Sequence, residues 1–187
     1  MLFGEPHECW EMFETERTLV REIKEDDLPA LFALYEKKGA ADYIEALYPY
    51  EEELEYTRDY IHKIYGFYGY GMWVIIQKST GKLMGRVGLE DRTSPQTGRI
   101  LELGYIIDPD LWRQGYGTEV CVPTIKYAFE ELDEEAVSCL IHPKNLASIA
   151  FIRTLGFRFR KEVHVEGKDY EWWERLREEN DLPSKKD

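Results

Sequence analysis

One stretch, Leu101 to Phe129 (LELGYIIDPDLWRQGYGTEVCVPTIKYAF), constrains this chain more than any other. Leu101, Leu103, Tyr105 and Ile107 fall on one face of an alternating segment, with Glu102, Gly104 and Ile106 on the other. That is the period-2 pattern of a strand. Asp108-Pro109-Asp110 ends it, because proline and the residue before it resist continuing regular structure. Arg113-Gln114-Gly115-Tyr116-Gly117-Thr118 comes next, followed by helical spacing through Val120, Ile125, Ala128, Phe129 and Leu132. The order is strand, glycine-bearing loop, helix. A loop of little side-chain bulk at a helix start offers unpaired backbone N–H groups and the positive end of the helix dipole. That arrangement suits a phosphate or pyrophosphate.

The loop is not a Walker A element, since no Gly-Lys-Ser/Thr follows. Nor is it a GxGxxG dinucleotide fingerprint, since Gly115-Tyr116-Gly117 continues into Thr118-Glu119-Val120 without a third glycine. It resembles the acetyl-CoA loop of the GNAT acetyltransferase superfamily, Gln/Arg-x-x-Gly-x-Gly/Ala. Gln114-x-x-Gly117-x-Glu119 matches that pattern except at its last position, and the glutamate there is similar to the branch containing the ribosomal-protein N-terminal acetyltransferases. A second segment, Asn145-x-x-Ser148 followed by Leu155-Gly156-Phe157, resembles the superfamily's other recurrent element in the same order along the chain.

The 187 residues carry a formal net charge of −13, which disfavours nucleic acid as a direct partner because phosphate contacts need clustered Lys and Arg. The acidity suits a cationic acceptor, and it equally serves to keep a surface soluble. Cys9, Cys121 and Cys139 are widely spaced with no CxxC, so neither a disulfide framework nor a metal site is expected; His62 and His142 stand singly. No run approaches a membrane span and no basic-then-apolar leader is visible, so no membrane partner and a cytoplasmic location are expected.

Along the chain, residues 1–16 read as an extension of uncertain structure, 17–177 as one domain and 178–187 as a charged tail that frays. Thr18–Ile23 reads as a strand. A helix from Leu28 to about Lys38 follows, with Asp26 or Asp27 as its cap and Pro29 in its first turn. A second helix spans Glu51–Tyr65, and Gly66–Gly71 is a glycine–aromatic loop. Strands Met72–Gln77 and Lys82–Glu90 flank a hairpin turn, and Asp91–Gly98 is a further turn before the central strand. Beyond the central helix come a strand at Ala136–Ile141, a helix at Asn145–Leu155, and a hairpin of Phe157–Val165 with Lys168–Leu176. Pro123 inside the central helix deletes a backbone hydrogen bond and is expected to bend it. The resemblance implies that this order builds the GNAT fold: an α/β (α+β) domain with a mixed, mostly antiparallel central sheet and helices on both faces.

It also implies transfer of acetyl from acetyl-CoA to an amine, a peptide N-terminus or a small cationic molecule, by direct attack in a ternary complex and without a metal. The pyrophosphate is then expected on backbone N–H groups of Arg113, Gln114, Gly115, Tyr116, Gly117 and Thr118. The arginine side chain either adds a phosphate contact or is simply solvated. The strand near Ile106 and Ile107 is expected to pair with the pantetheine arm, and a backbone N–H there to hold the thioester oxygen.

An amine must attack in its neutral form, which for a lysine-like group costs about 4–5 kcal/mol at neutral pH and for an α-amine only about 1 kcal/mol. Glu102 is the one ionisable side chain on the mostly apolar central strand and is the candidate base, with Glu90 second; the other reading is a surface glutamate. Many family members carry a tyrosine acid seven residues after the Asn, a place held here by Ile152. Ser148 takes the place of the serine found in the ribosomal-protein branch and is the candidate donor to the CoA sulfur, with Asn145 contacting the cofactor. Asn145 and Ser148 also read as ordinary helix-capping residues. Tyr48, Tyr50 and the rings from Tyr65 to Trp73 either line an acceptor site or belong to the core. Two rivals stand beside the enzyme: a non-catalytic acyl-CoA-binding or sensing module, and an enzyme using another acyl donor such as succinyl-CoA. The chain is expected as a monomer or a homodimer.

Overall fold

The computed structural model describes residues 10–178; Cys9, the first nine residues of the extension and the tail from 179 onward lie outside the described residues. The chain gathers into two compact units. One holds the described residues up to Gly88 together with Tyr105–Val120. The other holds Leu89–Gly104 together with the described residues from Cys121 onward.

The first unit contains β1 (Glu11–Glu14), β2 (Thr18–Arg21), α1 (Leu28–Tyr35), α2 (Tyr50–Tyr60), α3 (Gly66–Tyr68) and β3 (Met72–Gln77). To these it adds the opening of β4 (Lys82–Ser94), the end of β5 (Gly98–Ile107) and the start of α4 (Tyr116–Glu130). Its strands neighbour one another in the order β1-β2-β3-β4-β5, with β1 to β4 pairing antiparallel. Val20, Trp73, Val74, Ile75 and Val87 are fully buried, each such side chain contributing about 1.5–3 kcal/mol. Phe13 meets the Trp73 ring edge-on at 6.3 Å, so the latter part of the extension, unplaced by sequence, supplies an edge strand with an aromatic anchor.

Two local expectations change. Asp27 takes the N-cap position of α1, but its side chain makes no cap hydrogen bond there; it accepts the Lys24 N–H at 2.8 Å and takes the Arg21 guanidinium bidentately at 2.7 and 2.8 Å, an ion pair that outcompetes a single N–H. The glycine–aromatic segment is helical in its first half. After Tyr60 the chain passes through a π-helical turn, Ile61–Tyr65, into α3, and stops at Gly69. A π turn stacks residues five apart, which brings Tyr60 and Tyr65 together at 5.2 Å. Both then grip one residue: the Met72 N–H donates to the Tyr60 hydroxyl at 2.8 Å, and the Tyr65 hydroxyl donates to the Met72 carbonyl at 2.6 Å. Of the loop's rings, Tyr65, Tyr70 and Trp73 are core, whereas Phe67 and Tyr68 are exposed along with Tyr48 and Tyr50.

The second unit holds the rest of β4, β5 and α4, with β6 (Ala136–Ile141), α5 (Leu146–Thr154), β7 (Arg158–Val165) and β8 (Lys168–Leu176). Its strands run β4-β5-β6-β8-β7. The β5–β6 pair is parallel, with Glu102 opposite Ser138, and β8 pairs antiparallel with both β6 and β7. Leu101, Leu103, Ile125, Phe129, Val137, Ile152 and Phe157 are buried. β4 extends to Ser94 and β5 begins at Gly98, so the turn expected over Asp91–Gly98 shrinks to residues 95–97. Arg99 on β5 pairs with Asp91 on β4 at 2.7 Å and with Glu134, in the connection between α4 and β6, at 2.7 Å, contacts that no local pattern announces. The final hairpin turns on Glu166 and Gly167 with φ of 51° and 79°, as a two-residue hairpin turn requires. α4 runs unbroken through Pro123. Among the described residues the fold is mixed α/β with eight strands, mostly antiparallel, and no helix is long and apolar enough to cross a membrane.

Candidate active site

The candidate anion-binding loop lies in the first unit. β5 ends at Ile107, and the Asp108 carboxylate accepts the Asp110 N–H at 3.0 Å to start a short 3₁₀ turn. Lys37 bridges Asp108 at 2.7 Å and Asp110 at 2.6 Å, and the Trp112 indole N–H donates to the Ile107 carbonyl at 2.7 Å. Arg113 and Gly115 then both adopt positive φ, 60° and 86°. For Arg113 that conformation costs about 1–2 kcal/mol, whereas at Gly115 no Cβ resists it. Positive-φ residues in a turn are the kind of backbone from which anion-binding nests are built, which makes this turn a candidate for one.

α4 opens immediately afterwards at Tyr116. The N–H groups of Tyr116, Gly117 and Thr118 precede any carbonyl of their own helix and sit at its positive end. Arg113, Gln114, Gly115 and Thr118 are exposed. The chemistry of this donor set fits a phosphate or pyrophosphate.

Two of the loop's four side chains are not simply presented to solvent. Tyr116 is 7% exposed, and its hydroxyl accepts from the Gln77 side-chain amide at 3.1 Å. Gln114 uses its side-chain amide locally, on the Asp110 carbonyl at 3.1 Å. The Glu119 that departs from the loop pattern has a structural occupation. Its carboxylate accepts the Thr15 hydroxyl, the Arg17 backbone N–H at 3.0 Å and the Arg17 Nε–H at 2.7 Å. Burial pushes its pKa up, but these hydrogen bonds and the Arg17 charge together outweigh that and hold the carboxyl below the usual carboxylate range. Ile106 and Ile107 are buried side chains. The Ile106 carbonyl lies against Gly85 of β4, where a Cβ would come within 2.3 Å of it, and the Asp108 N–H donates to the Met84 carbonyl at 2.8 Å. By strand alternation the Ile107 peptide groups point to the opposite edge.

Glu102, Asn145 and Ser148 lie in the second unit. Glu102 has only 16% of its side chain exposed. One carboxylate oxygen accepts the Leu140 N–H at 3.3 Å, and the other meets Arg92 Nε at 2.9 Å. Burial pushes the carboxyl up to about 7, while the Arg92 charge and the Leu140 N–H pull the other way. The surface-glutamate reading is therefore corrected: this is a buried carboxyl able to take up or release a proton near neutrality. Glu90 lies on β4, and its charge adds slightly to the upward push on Glu102.

Asn145 is the N-cap of α5, its side-chain oxygen accepting the Ser148 N–H at 3.1 Å, so these two residues are brought together as a cap. Ile152 is fully buried. Burial alone pushes the Cys121 thiol far up, and burial leads the same shift at Cys139, which leaves neither thiol suited to nucleophilic attack. Among the described residues no three His, Cys, Asp or Glu side chains are grouped to hold a metal ion.

Sequence reasoning missed Arg17, Arg92 and Lys37. The only signal for the first was the unexplained Glu119. Nothing in the spacing ties residue 17 to residue 119, or 92 to 102.

The family described as acetyltransferase (GNAT) domain matches residues 17–158, a span running through both units. An uncharacterized N-acetyltransferase of Bacillus subtilis, YoaA, is 27% identical over 166 residues, covering 86% of this chain and 92% of that protein. Among solved structures, the RimL ribosomal L7/L12 alpha-N-protein acetyltransferase in complex with coenzyme A superposes with a TM-score of 0.69 at 18% identity, covering 87% of this chain and 95% of that one. A mutant of the spermidine N-acetyltransferase SpeG of Vibrio cholerae does so with a TM-score of 0.66 at 18% identity, with the same two coverages. At those identities the likeness is one of fold.

Proposed function

The chain belongs to the acetyltransferase (GNAT) family, and from that premise we propose that it moves acetyl from acetyl-CoA to a primary amine, either a peptide N-terminus or a small cationic molecule. The observation that carries the reading is the loop before α4, where two positive-φ residues lead directly into a helix start whose first N–H groups have no carbonyl of their own helix to bond. The backbone from Arg113 to Thr118 is assigned the pyrophosphate, and the Ile107 edge of β5 the amide-bearing arm. Bound acetyl-CoA would supply an acetyl group already activated as a thioester.

Glu102 is assigned the proton of the incoming ammonium. Its acidity near 7 keeps a useful fraction ionised at neutral pH while letting it hold the proton it takes. The net charge of −13 draws a cationic acceptor toward the protein. Ser148 is assigned a hydrogen bond to the CoA sulfur, and Asn145 a place beside the cofactor while it caps α5. The departing thiolate needs little help, its thiol being acidic at about 8.5, so a buried Ile152 in place of a tyrosine is tolerable.

The same Ile152, with Glu102 already bonded to Arg92 and Leu140, favours a second reading, an acyl-CoA-binding module without turnover. A thiol-release assay with acetyl-CoA separates the two readings when run against spermidine, an aminoglycoside, lysine-containing peptides and peptides with free N-termini. Turnover on one amine class supports the enzyme. Silence across the panel with CoA still bound in calorimetry supports the module, and a chain that binds no CoA contradicts both.

A further inference from the structure

An anion nest works only if its peptide planes are held, and the plane between Gln114 and Gly115 is held from outside the loop. The turn joining β1 to β2 lies against the start of α4, and Arg17 makes the contact. Its Nε–H donates to Glu119 at 2.7 Å, and a terminal nitrogen donates to the Gln114 carbonyl at 3.1 Å. The guanidinium lies 4.0 Å above the Tyr116 ring. Glu119 in turn accepts the Arg17 backbone N–H and the Thr15 hydroxyl, so the turn and the helix start form one hydrogen-bonded assembly. The Tyr116 hydroxyl extends it to Gln77 on β3.

The consequence is geometric. In a trans peptide the carbonyl of Gln114 and the N–H of Gly115 point in opposite directions. Fixing that carbonyl on Arg17 therefore aims the Gly115 N–H away from Arg17. The planar guanidinium can bind a carboxylate, a carbonyl and a ring face together, which a single ammonium cannot. Glu119 also explains why this cation is not simply a phosphate ligand, since its charge is already matched.

We propose that Arg17, paired with Glu119, is a positioning residue for the acetyl-CoA loop, setting the orientation of the Gln114–Gly115 peptide and of the helix start behind it. The proposal rests on the reading of that loop as the acetyl-CoA site.

The test measures CoA affinity by calorimetry, together with KM for acetyl-CoA, KM for the amine and kcat, in wild type, Arg17→Ala, Arg17→Lys and Glu119→Gln. All three variants are expected to weaken CoA binding and raise KM for acetyl-CoA by about tenfold, the worth of one charge-assisted hydrogen bond. At saturation, kcat and the amine KM are expected to stay within about twofold of wild type. Arg17→Lys keeps the charge and the aliphatic stem, so it remains informative if Arg17→Ala folds poorly. Wild-type affinity in Arg17→Lys would overturn the proposal, because charge alone would then suffice. So would a fall in kcat with KM for acetyl-CoA unchanged. A wild-type chain that binds no CoA would sink the acetyl-CoA reading and this proposal with it, whereas a wild type that binds CoA beside variants that bind equally well sinks the proposal alone.

Discussion

Replacing Glu102 by Gln should change how stability depends on pH, and the size of the change follows from the environment of the carboxyl. In the fold the group titrates near 7 against an ordinary 4.5, chiefly because burial penalises its charge. A carboxyl raised in this way leaves its full stability in place below the unfolded value and withdraws it as pH climbs through the folded value. Over the window from about pH 5 to about pH 8, linkage makes the withdrawal about 2–3 kcal/mol, most of what is lost once the group is fully ionised. Glutamine does not titrate, so the variant lacks this term. It keeps an acceptor for the Leu140 N–H and loses the Arg92 ion pair, which displaces its curve without giving it this slope. Urea unfolding followed by tryptophan fluorescence at a series of pH values measures both proteins, with equal m-values as the check on comparability. The difference between them should move by about 2–3 kcal/mol across the window, wild type losing ground as pH rises. Parallel curves would refute the reasoning, since they would mean that Glu102 titrates alike in the folded and unfolded chains.

The same carboxyl predicts that kcat/KM for the amine rises with pH through about 7 and levels off, and that Glu102→Gln removes this limb; a pH–rate profile checks it. Gly115→Ala, forced to φ 86°, should lose about 1–2 kcal/mol in urea unfolding and raise KM for acetyl-CoA, with the amine KM unmoved. Asn145→Ala removes the α5 cap and should cost about 1 kcal/mol of stability, while Asn145→Asp, also a good cap, should restore it. A loss of CoA affinity that Asp does not restore would mark Asn145 as a cofactor contact as well.

The elements that sequence located well are those whose cause is local. Alternation marked β5, a short apolar run marked β6, and the Asp108-Pro109-Asp110 break marked where β5 stops. Asn145 followed by Ser148 marked a helix start, because the cap is a bond between residues three apart. Residues 11–14 had no such signature: a four-residue strand exists because β2 and the Trp73 ring are there to receive it. The turn after β4 was drawn too long for the same reason, since Arg99 joins Asp91 and Glu134 only once the strands have paired.

At the candidate site the division is equally physical. The glycine loop and the helix behind it are consecutive residues, so their strand–loop–helix order, and with it a candidate anion site, was legible before any fold was known. Glu102 was visible as the lone carboxylate on an apolar strand, but its acidity was not, because burial and the neighbouring Arg92 and Leu140 set that acidity. Arg17 and Glu119 stand 102 positions apart, and no period or motif reaches across such a separation. Sequence by itself determined the strand–loop–helix that can hold a phosphate, because backbone geometry there depends on neighbours along the chain. Only the tertiary structure decided which distant charges hold that loop and tune the carboxyl, because desolvation and ion pairing depend on neighbours in space.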